Sequence, residues 1–311
     1  MKFSIIGSSL ISEKHIDAAI ANDFIPYSIS SSLNSKTAKK LSEEYKFQKY
    51  YKNSYDLIDD DQYDLLIIAC KVDQTTEYLN FVKNKDKQIL VEKPVSYNPS
   101  EINKIIMAGS FPKIHVGFNR RFYKTINELK RVLDNLSGYS LIVNYPELSK
   151  NSSDLSNRIA SNGVHLFDII NYLCGEYSLK LIFKDSKNKH YAYELKSEKF
   201  NGVFNLFSNS PTNMSISIYD QNKLYELKPI EIFTIYEDFE IIEPTKELNL
   251  RQYKPIMLKN IIEDSQNFKP GFYEQINSIK NLIDTGEDVG LPKLQDAYFA
   301  QQIANKIIAD L

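Results

Sequence analysis

The sequence predicts an α/β protein whose first half is a doubly wound parallel sheet and whose second half turns to a run of short strands. Three observations carry this. Short apolar runs alternate with helical patterns up to about residue 117, which implies parallel βαβ units. A glycine, Gly7, stands directly between the first apolar run and the first helical pattern. From residue 178 onward the pattern changes to strand-length alternation broken by turn residues. At 311 residues the chain exceeds one typical domain. The division expected is 1–120 for the first domain and 121–311 for the second.

In chain order, residues 3–6 read as a strand, and Ile16, Ala19 and Ile20 mark the helix after Gly7. A second strand is expected over 24–30, a helix over 36–45 and a short helical turn at 55–58. Leu65-Leu66-Ile67-Ile68-Ala69 is an uninterrupted apolar run, the signature of a strand buried on both faces. A helix over 76–82, a strand at Ile89-Leu90-Val91, a helix over 102–107 and a strand at 114–117 complete the alternation. An amphipathic helix over 122–136 leads out of this half. Residues 139–145 alternate as a strand, and Val164, Phe167, Ile170 and Leu173 form an apolar stripe on a helix over 159–173. Short strands follow at 179–183, 191–195, 202–207, 214–219, 223–227 and 230–235. Residues 243–269 are polar and irregular, an expected excursion over the sheet. Helices at 272–283 and 294–308 close the chain.

Composition narrows the function classes. The formal net charge is −2 and the basic residues are scattered, which favours neither nucleic acid nor an anionic membrane. No apolar run has the length needed to cross a bilayer, and the start lacks a signal-peptide pattern. Cys70 and Cys174 each end an apolar segment and read as free thiols, so a cytoplasmic protein is expected. The four histidines show no ligand spacing, and no metal is expected.

Strand, glycine and helix at 3–20 open a nucleotide-binding unit, with Gly7 at the first place of the glycine fingerprint and Ser9 and Ser12 at the other two. Ser9 adds a Cβ where backbone approaches a pyrophosphate, and Ser12 is expected to loosen helix–strand packing. Backbone N–H groups of Ser9, Leu10 and Ile11 at the helix start still suit an anion. The ribose-recognising position after the second strand is Ser32. The loop Ser31-Ser32-Leu33-Asn34-Ser35-Lys36 has no acid, and its hydroxyls with Lys36 lean toward the 2′-phosphate of NADP over NAD. The plain alternative is an ordinary Ser/Asn-rich loop.

Ligands of open parallel sheets bind outside the carboxyl ends of the strands. Glu92-Lys93-Pro94 and Phe118-Asn119-Arg120-Arg121 stand at two such ends, and Cys70 at a third. A lysine partly removed from water loses its proton more readily and can act as a base. Farther on, His165 and Asp168 are three apart, neighbours on a helix surface. His165 is read either as a site residue or as a histidine bonded to Asp168 or to backbone for helix docking.

With these motifs in order, Phe3 to Gly7 with His15, Val91-Glu92-Lys93-Pro94, Val116-Gly117-Phe118-Asn119-Arg120-Arg121-Phe122, Asn162-Gly163-Val164-His165-Leu166-Phe167-Asp168 and Leu173-Cys174-Gly175, the chain resembles the Gfo/Idh/MocA family of NAD(P)-dependent oxidoreductases. The resemblance implies a Rossmann domain followed by an α/β domain with a large open, mostly antiparallel sheet. It implies hydride transfer to or from a secondary alcohol or carbonyl of a sugar, cyclitol or nucleotide-sugar. The catalytic residues it implies are Lys93 and His165, with a cis peptide before Pro94. Gly7, Ser9, Leu10, Ile11, Ser32, Cys70, Glu92, Lys93 and Pro94 would hold the cofactor, and Asn119, Arg120, Ser161 and His165 the substrate. Ser161 stands where typical members carry an acid. A homo-oligomer, dimer or tetramer, through the second sheet is also implied. The alternative is a catalytically inactive member that senses a ligand or scaffolds a partner.

Overall fold

The computed structural model describes residues 1–33, 35–109, 113–264 and 267–311. In chain order the elements are β1 (Lys2–Ile6), α1 (Leu10–Ala21), β2 (Ile25–Ser30), α2 (Lys36–Glu44), β3 (Lys49–Tyr50), α3 (Ser54–Asp60), β4 (Leu65–Ile68), α4 (Val72–Val82), β5 (Gln88–Val91), α5 (Pro99–Met107) and β6 (Ile114–Val116). Then come α6 (Lys124–Leu133), β7 (Tyr139–Glu147), α7 (Ser152–Arg158) and α8 (Val164–Cys174). The strands β8 (Ser178–Asp185), β9 (His190–Lys196), β10 (Phe200–Ser208), β11 (Ser215–Asp220), β12 (Lys223–Leu227), β13 (Ile232–Ile242) and β14 (Gln252–Ile262) follow, and α9 (Phe272–Thr285) and α10 (Leu294–Asp310) end the chain.

The chain forms two compact units. The first comprises Met1–Phe122, Ile159–Asp168 and Ser265–Lys306; the second comprises Tyr123–Arg158, Ile169–Asp264 and Ile307–Leu311.

The first unit holds a six-stranded parallel sheet in the order β3-β2-β1-β4-β5-β6. Chain direction across the sheet reverses between β1 and β4, the switch point at which such sheets bind ligands. Leu65–Ile68 is buried along its whole length because both faces are covered, which is why it carries no polar position. Phe3, Ile5, Leu65, Ile67 and Leu90 share one core with Ile16 and Ala19 of α1 and with Phe272, Ile276 and Ile279 of α9. The closing helix α9 thus belongs to the nucleotide-type unit although it lies far along the chain. Asn22 ties the two helices by donating its amide to the carbonyls of Ala18 (2.9 Å) and Tyr273 (3.1 Å).

The second unit holds an eight-stranded sheet in the order β14-β13-β12-β11-β7-β10-β9-β8. Every pairing is antiparallel except β7 with β10, so the sheet is mostly antiparallel without being a simple meander. Along β7, Leu141, Val143 and Tyr145 are buried while the residues between them are not, the period of two expected of a sheet with one covered face.

Three expectations are corrected here. The irregular excursion over 243–269 contains an eleven-residue strand, β14, paired with β13, which itself runs on to Ile242 (Ser265 and Gln266 lie outside the described residues). Mixed Lys, Pro and apolar residues hide that strand, because a ladder partner and not amphipathicity holds it. The helix expected from 122 starts at Lys124, after a 3₁₀ turn at Asn119–Phe122. The helix expected over 159–173 is a π turn at Ile159–Gly163 leading into α8, preceded by α7, which the apolar pattern did not mark. The two-residue β3 was also unmarked.

Candidate functional site

The strands of the first unit end in register. Ile6 pairs with Ile68, Ile68 with Val91, and Val91 with Val116. The next residues continue the ladder: Ala69 N–H donates to Ile6 O (2.8 Å), Glu92 N–H to Ile68 O (2.8 Å) and Gly117 N–H to Val91 O (2.7 Å). Gly7, Cys70, Glu92-Lys93-Pro94 and Asn119-Arg120 are therefore gathered at one edge of the sheet.

Gly7 has φ +143°, and a Cβ placed there would lie 2.2 Å from Ala69 O. Only glycine lets the first turn approach the end of β4 this closely. Ser12, expected to loosen the packing, is fully buried and does the opposite: its Oγ accepts from Ser9 N–H (3.1 Å) and lies 3.3 Å from Ser9 Oγ, closing the loop onto the helix. The first turn of α1 presents Ser9, Leu10 and Ile11, with the Leu10 side chain 78% exposed. The Ser9 N–H is taken by Ser12 Oγ, which leaves the amides of Leu10 and Ile11 to the anion that the helix dipole favours there. A backbone cradle without room for a Cβ, leading into a twelve-residue helix, fits a pyrophosphate group.

Beyond β2, Ser8 Oγ donates to Ser31 Oγ (3.0 Å), and Ser35 caps α2 by accepting from Ala38 N–H (3.2 Å). Ser32 and Lys36 are both exposed; Asn34 lies outside the described residues. The Cys70 thiol contacts Lys71 O (3.5 Å) and Thr75 Oγ1 (3.7 Å), and burial pushes its pKa up.

The Lys93–Pro94 peptide is cis. Lys93 Nζ donates to the carbonyl of Ser161, 3.2 Å away, in the π turn. Burial lowers the lysine's pKa; Glu92 opposes that effect, while Arg120 and Lys269 add to it. His165 is only 7% exposed, its ring edge-on to Phe118 with centroids 6.0 Å apart. Burial, then the charges of Lys93, Arg120 and Lys269, hold its pKa well below the ordinary range, so it is a neutral imidazole. Its Nδ1 has no hydrogen-bond partner among the described residues. The reading of His165 as bonded to Asp168 does not hold, because Asp168 belongs to Arg121 (Nε to Oδ2, 2.8 Å). Arg121 also pairs with Asp296 (2.8 Å). Burial works against the charged guanidinium, but the two carboxylates outweigh it and hold its pKa above the ordinary value. Asn119 donates its amide to Pro270 O (2.8 Å).

Lys269 and the partners of Arg121 and His15 escape a reading of motifs. Lys269 precedes α9 and reaches this edge only through the fold. Arg121 is part of a quoted motif, but its partners Asp168 and Asp296 are distant in sequence. His15 bonds Glu92 (Nε2 to Oε1, 2.7 Å) from α1. Among the described residues, no group of three or more His, Cys, Asp and Glu is placed to hold a metal.

A parallel sheet that opens on a glycine turn at its switch point, with a helix start and a half-buried lysine at its strand ends, has the form of a Rossmann fold. Residues 1–109 match the model of the Gfo/Idh/MocA family, described as an oxidoreductase family with an NAD-binding Rossmann fold. The chain is similar to a myo-inositol 2-dehydrogenase of Thermotoga maritima, 24% identical over 195 residues, a stretch that covers 60% of this chain and 58% of that protein. The chain therefore spans less than two thirds of this relative's length. Among solved structures, a levoglucosan dehydrogenase in complex with NADH and levoglucosan has a TM-score of 0.78 at 14% identity, with 99% of this chain and 96% of that one covered. A myo-inositol dehydrogenase from Lactobacillus casei, in complex with NAD(H) and myo-inositol, has a TM-score of 0.73 at 15% identity, with 98% and 92% covered. At these identities the likeness is one of fold.

Proposed function

We propose that the chain is a nicotinamide-dependent oxidoreductase acting on a secondary alcohol or carbonyl of a sugar, cyclitol or nucleotide-sugar. The observation that carries this is Lys93: a half-buried ammonium at the end of β5, held by a backbone carbonyl and beside a neutral histidine. The nicotinamide ring, when bound, supplies or accepts the hydride. Lys93 holds or moves the proton at the reacting oxygen, and its lowered pKa suits it to exchange that proton nearer neutrality. His165, a neutral imidazole edge-on to Phe118, is the ring assigned to a substrate hydroxyl. Arg120 and the Ser161 turn orient the substrate, with Asn119 held by Pro270 O to fix the turn between them. Gly7, Ser9, Leu10 and Ile11 would hold the pyrophosphate, Ser32 with Lys36 the adenosine ribose, and Cys70, Glu92, Lys93 and Pro94 the nicotinamide end.

The exposed hydroxyl-rich loop with Lys36 and no carboxylate supports a preference for NADP over NAD. Dinucleotide binding is assigned to 1–120 and substrate binding and self-association to 121–311, although 159–168 and 265–306 fold with the first unit. Exposed Phe239, Ile241, Tyr253, Met257 and Leu258 on β13 and β14 support association through the second sheet. The free thiols Cys70 and Cys174 suit a reducing cytoplasm.

The test is turnover with NAD and NADP on a panel that starts with myo-inositol and levoglucosan. Lys93→Ala is expected to lower turnover by roughly 10²–10⁴-fold with dinucleotide binding kept. Undiminished turnover removes Lys93 from the reaction. Failure of NADH and NADPH alike to bind at millimolar concentration removes the oxidoreductase reading in favour of a non-catalytic ligand sensor.

A further inference from the structure

Beside Lys93 the site holds a part-buried pair, His15 with Glu92, to which the reaction above gives no part in the proton's path. His15 reaches across from α1 and places Nε2 2.7 Å from Glu92 Oε1. The other carboxylate oxygen, Oε2, accepts from the backbone N–H of Lys93 at 3.1 Å. Gly117, next to β5 on the ladder, leaves the space this carboxylate fills: a Cβ there would lie 3.0 Å from Oε1 and 3.1 Å from Cδ. The imidazole is itself wedged, its ring 4.8 Å from that of Phe272. Four elements thus converge to aim one carboxylate. A carboxylate only accepts, so Nε2 carries the hydrogen of this bond.

We propose that Glu92, locked by His15, is a positioning residue for Lys93: it holds the backbone of the bend and supplies the negative charge that keeps the ammonium protonated until a substrate oxygen needs it. The proposal rests on the reading of Lys93 as the proton carrier. The charged and titratable groups that face Lys93 are Glu92 from its own strand end, Arg120 from the turn after β6, Lys269 from the approach to α9 and His165 from α8. Of these, Glu92 alone favours the charged lysine; Arg120 and Lys269 disfavour it, and burial does so most. Without the Glu92 charge, every remaining influence points the same way, and Lys93 becomes a free amine at a lower pH.

Competitive acetylation of the intact protein with trace acetic anhydride, read by mass spectrometry against exposed Lys104, titrates Lys93 with no need for turnover. Glu92→Gln keeps the shape and removes the charge. It is expected to speed Lys93 labelling near pH 8 by about three- to tenfold, as a half to one pH-unit fall in its midpoint requires. His15→Ala should move labelling the same way, because the carboxylate loses its anchor, and His15→Gln, which restores an N–H donor, should return it toward wild type. If labelling in both Glu92→Gln and His15→Ala equals wild type, the proposal is overturned; if Glu92→Gln fails to fold, His15→Ala decides alone. An active protein should also show the acid limb of its pH–rate profile displaced downward in Glu92→Gln. A Lys93→Ala variant with full activity would sink the proton-carrier reading and leave the labelling result standing, so the two failures are told apart.

Discussion

His115 shows at the scale of one residue how burial writes pH dependence into this chain. It is fully enclosed on β6, with Nε2 against Gln88 Oε1 (2.8 Å) and Nδ1 facing Lys293 Nζ (3.2 Å). Burial, then the Lys293 charge, lowers its pKa to about 3, although Asp288 pulls the other way. In the unfolded chain it takes a proton near the ordinary 6.5. Below that pH the unfolded state binds more protons, so the stabilising contribution is present above about 6.5 and lost on acidification. Between pH 7 and pH 5 this one histidine should remove about 2 kcal/mol of stability. Urea titrations at both pH values should show His115→Gln losing that much less than wild type; equal losses would mean the ring is already charged in the fold. His165 should add a second contribution of the same sign, since its pKa is lowered too.

At the scale of elements, two contacts hold the site's supports in place. Arg121, in the 3₁₀ turn after β6, joins that turn to α8 through Asp168 and to α10 through Asp296. Arg121→Met leaves Asp168, 1% exposed, without its partner, and removing one member of a buried pair costs about 3–5 kcal/mol. A denaturation midpoint within error of wild type would show the pair to be dispensable. Gly7→Ala pushes a methyl into Ala69 O at a backbone angle that side chains rarely adopt. It should cost at least the 1–3 kcal/mol typical of overpacking and weaken dinucleotide binding, measured by calorimetry, more than it weakens the fold. These two contacts also show what can be read without coordinates. Gly7 was legible, because strand, glycine and helix are consecutive. The partners of Arg121 were not, because Asp168 and Asp296 lie on two later helices and no local pattern marks which acid a buried guanidinium meets. The strand β14 was illegible for a related reason: Lys, Pro255 and apolar residues alternate irregularly, and β13 alone supplies its partner ladder.

At the scale of the whole molecule, the chain enters the nucleotide-type unit three times, as Met1–Phe122, Ile159–Asp168 and Ser265–Lys306. The first pass builds the sheet, the second brings Ser161 and His165 to it, and the third brings Lys269, α9 and most of α10. A truncation at residue 120 therefore removes Phe272, Ile276 and Ile279 from the shared core and exposes the apolar faces of Ile16 and Ala19. Such a fragment should aggregate or melt without a cooperative transition in calorimetry, whereas the full chain should unfold cooperatively. Sedimentation of the full chain should give a dimer or tetramer if β13 and β14 cover their exposed apolar residues against a second copy; a monomer at micromolar concentration would end that proposal.

By itself the sequence determined the alternation of strand and helix, the glycine turn, the placement of Lys93 at a strand end and the change to a run of short strands in the second half. Each of these is a property of neighbouring residues: periodicity, a missing Cβ, a proline that stops a strand. Only the tertiary structure decided that Ser161 O receives Lys93, that Asp168 serves Arg121 and not His165, and that His15 grips Glu92 from 77 positions away. Those pairings depend on which side chains share a buried space, where desolvation makes an unpaired charge costly and the fold selects the partner.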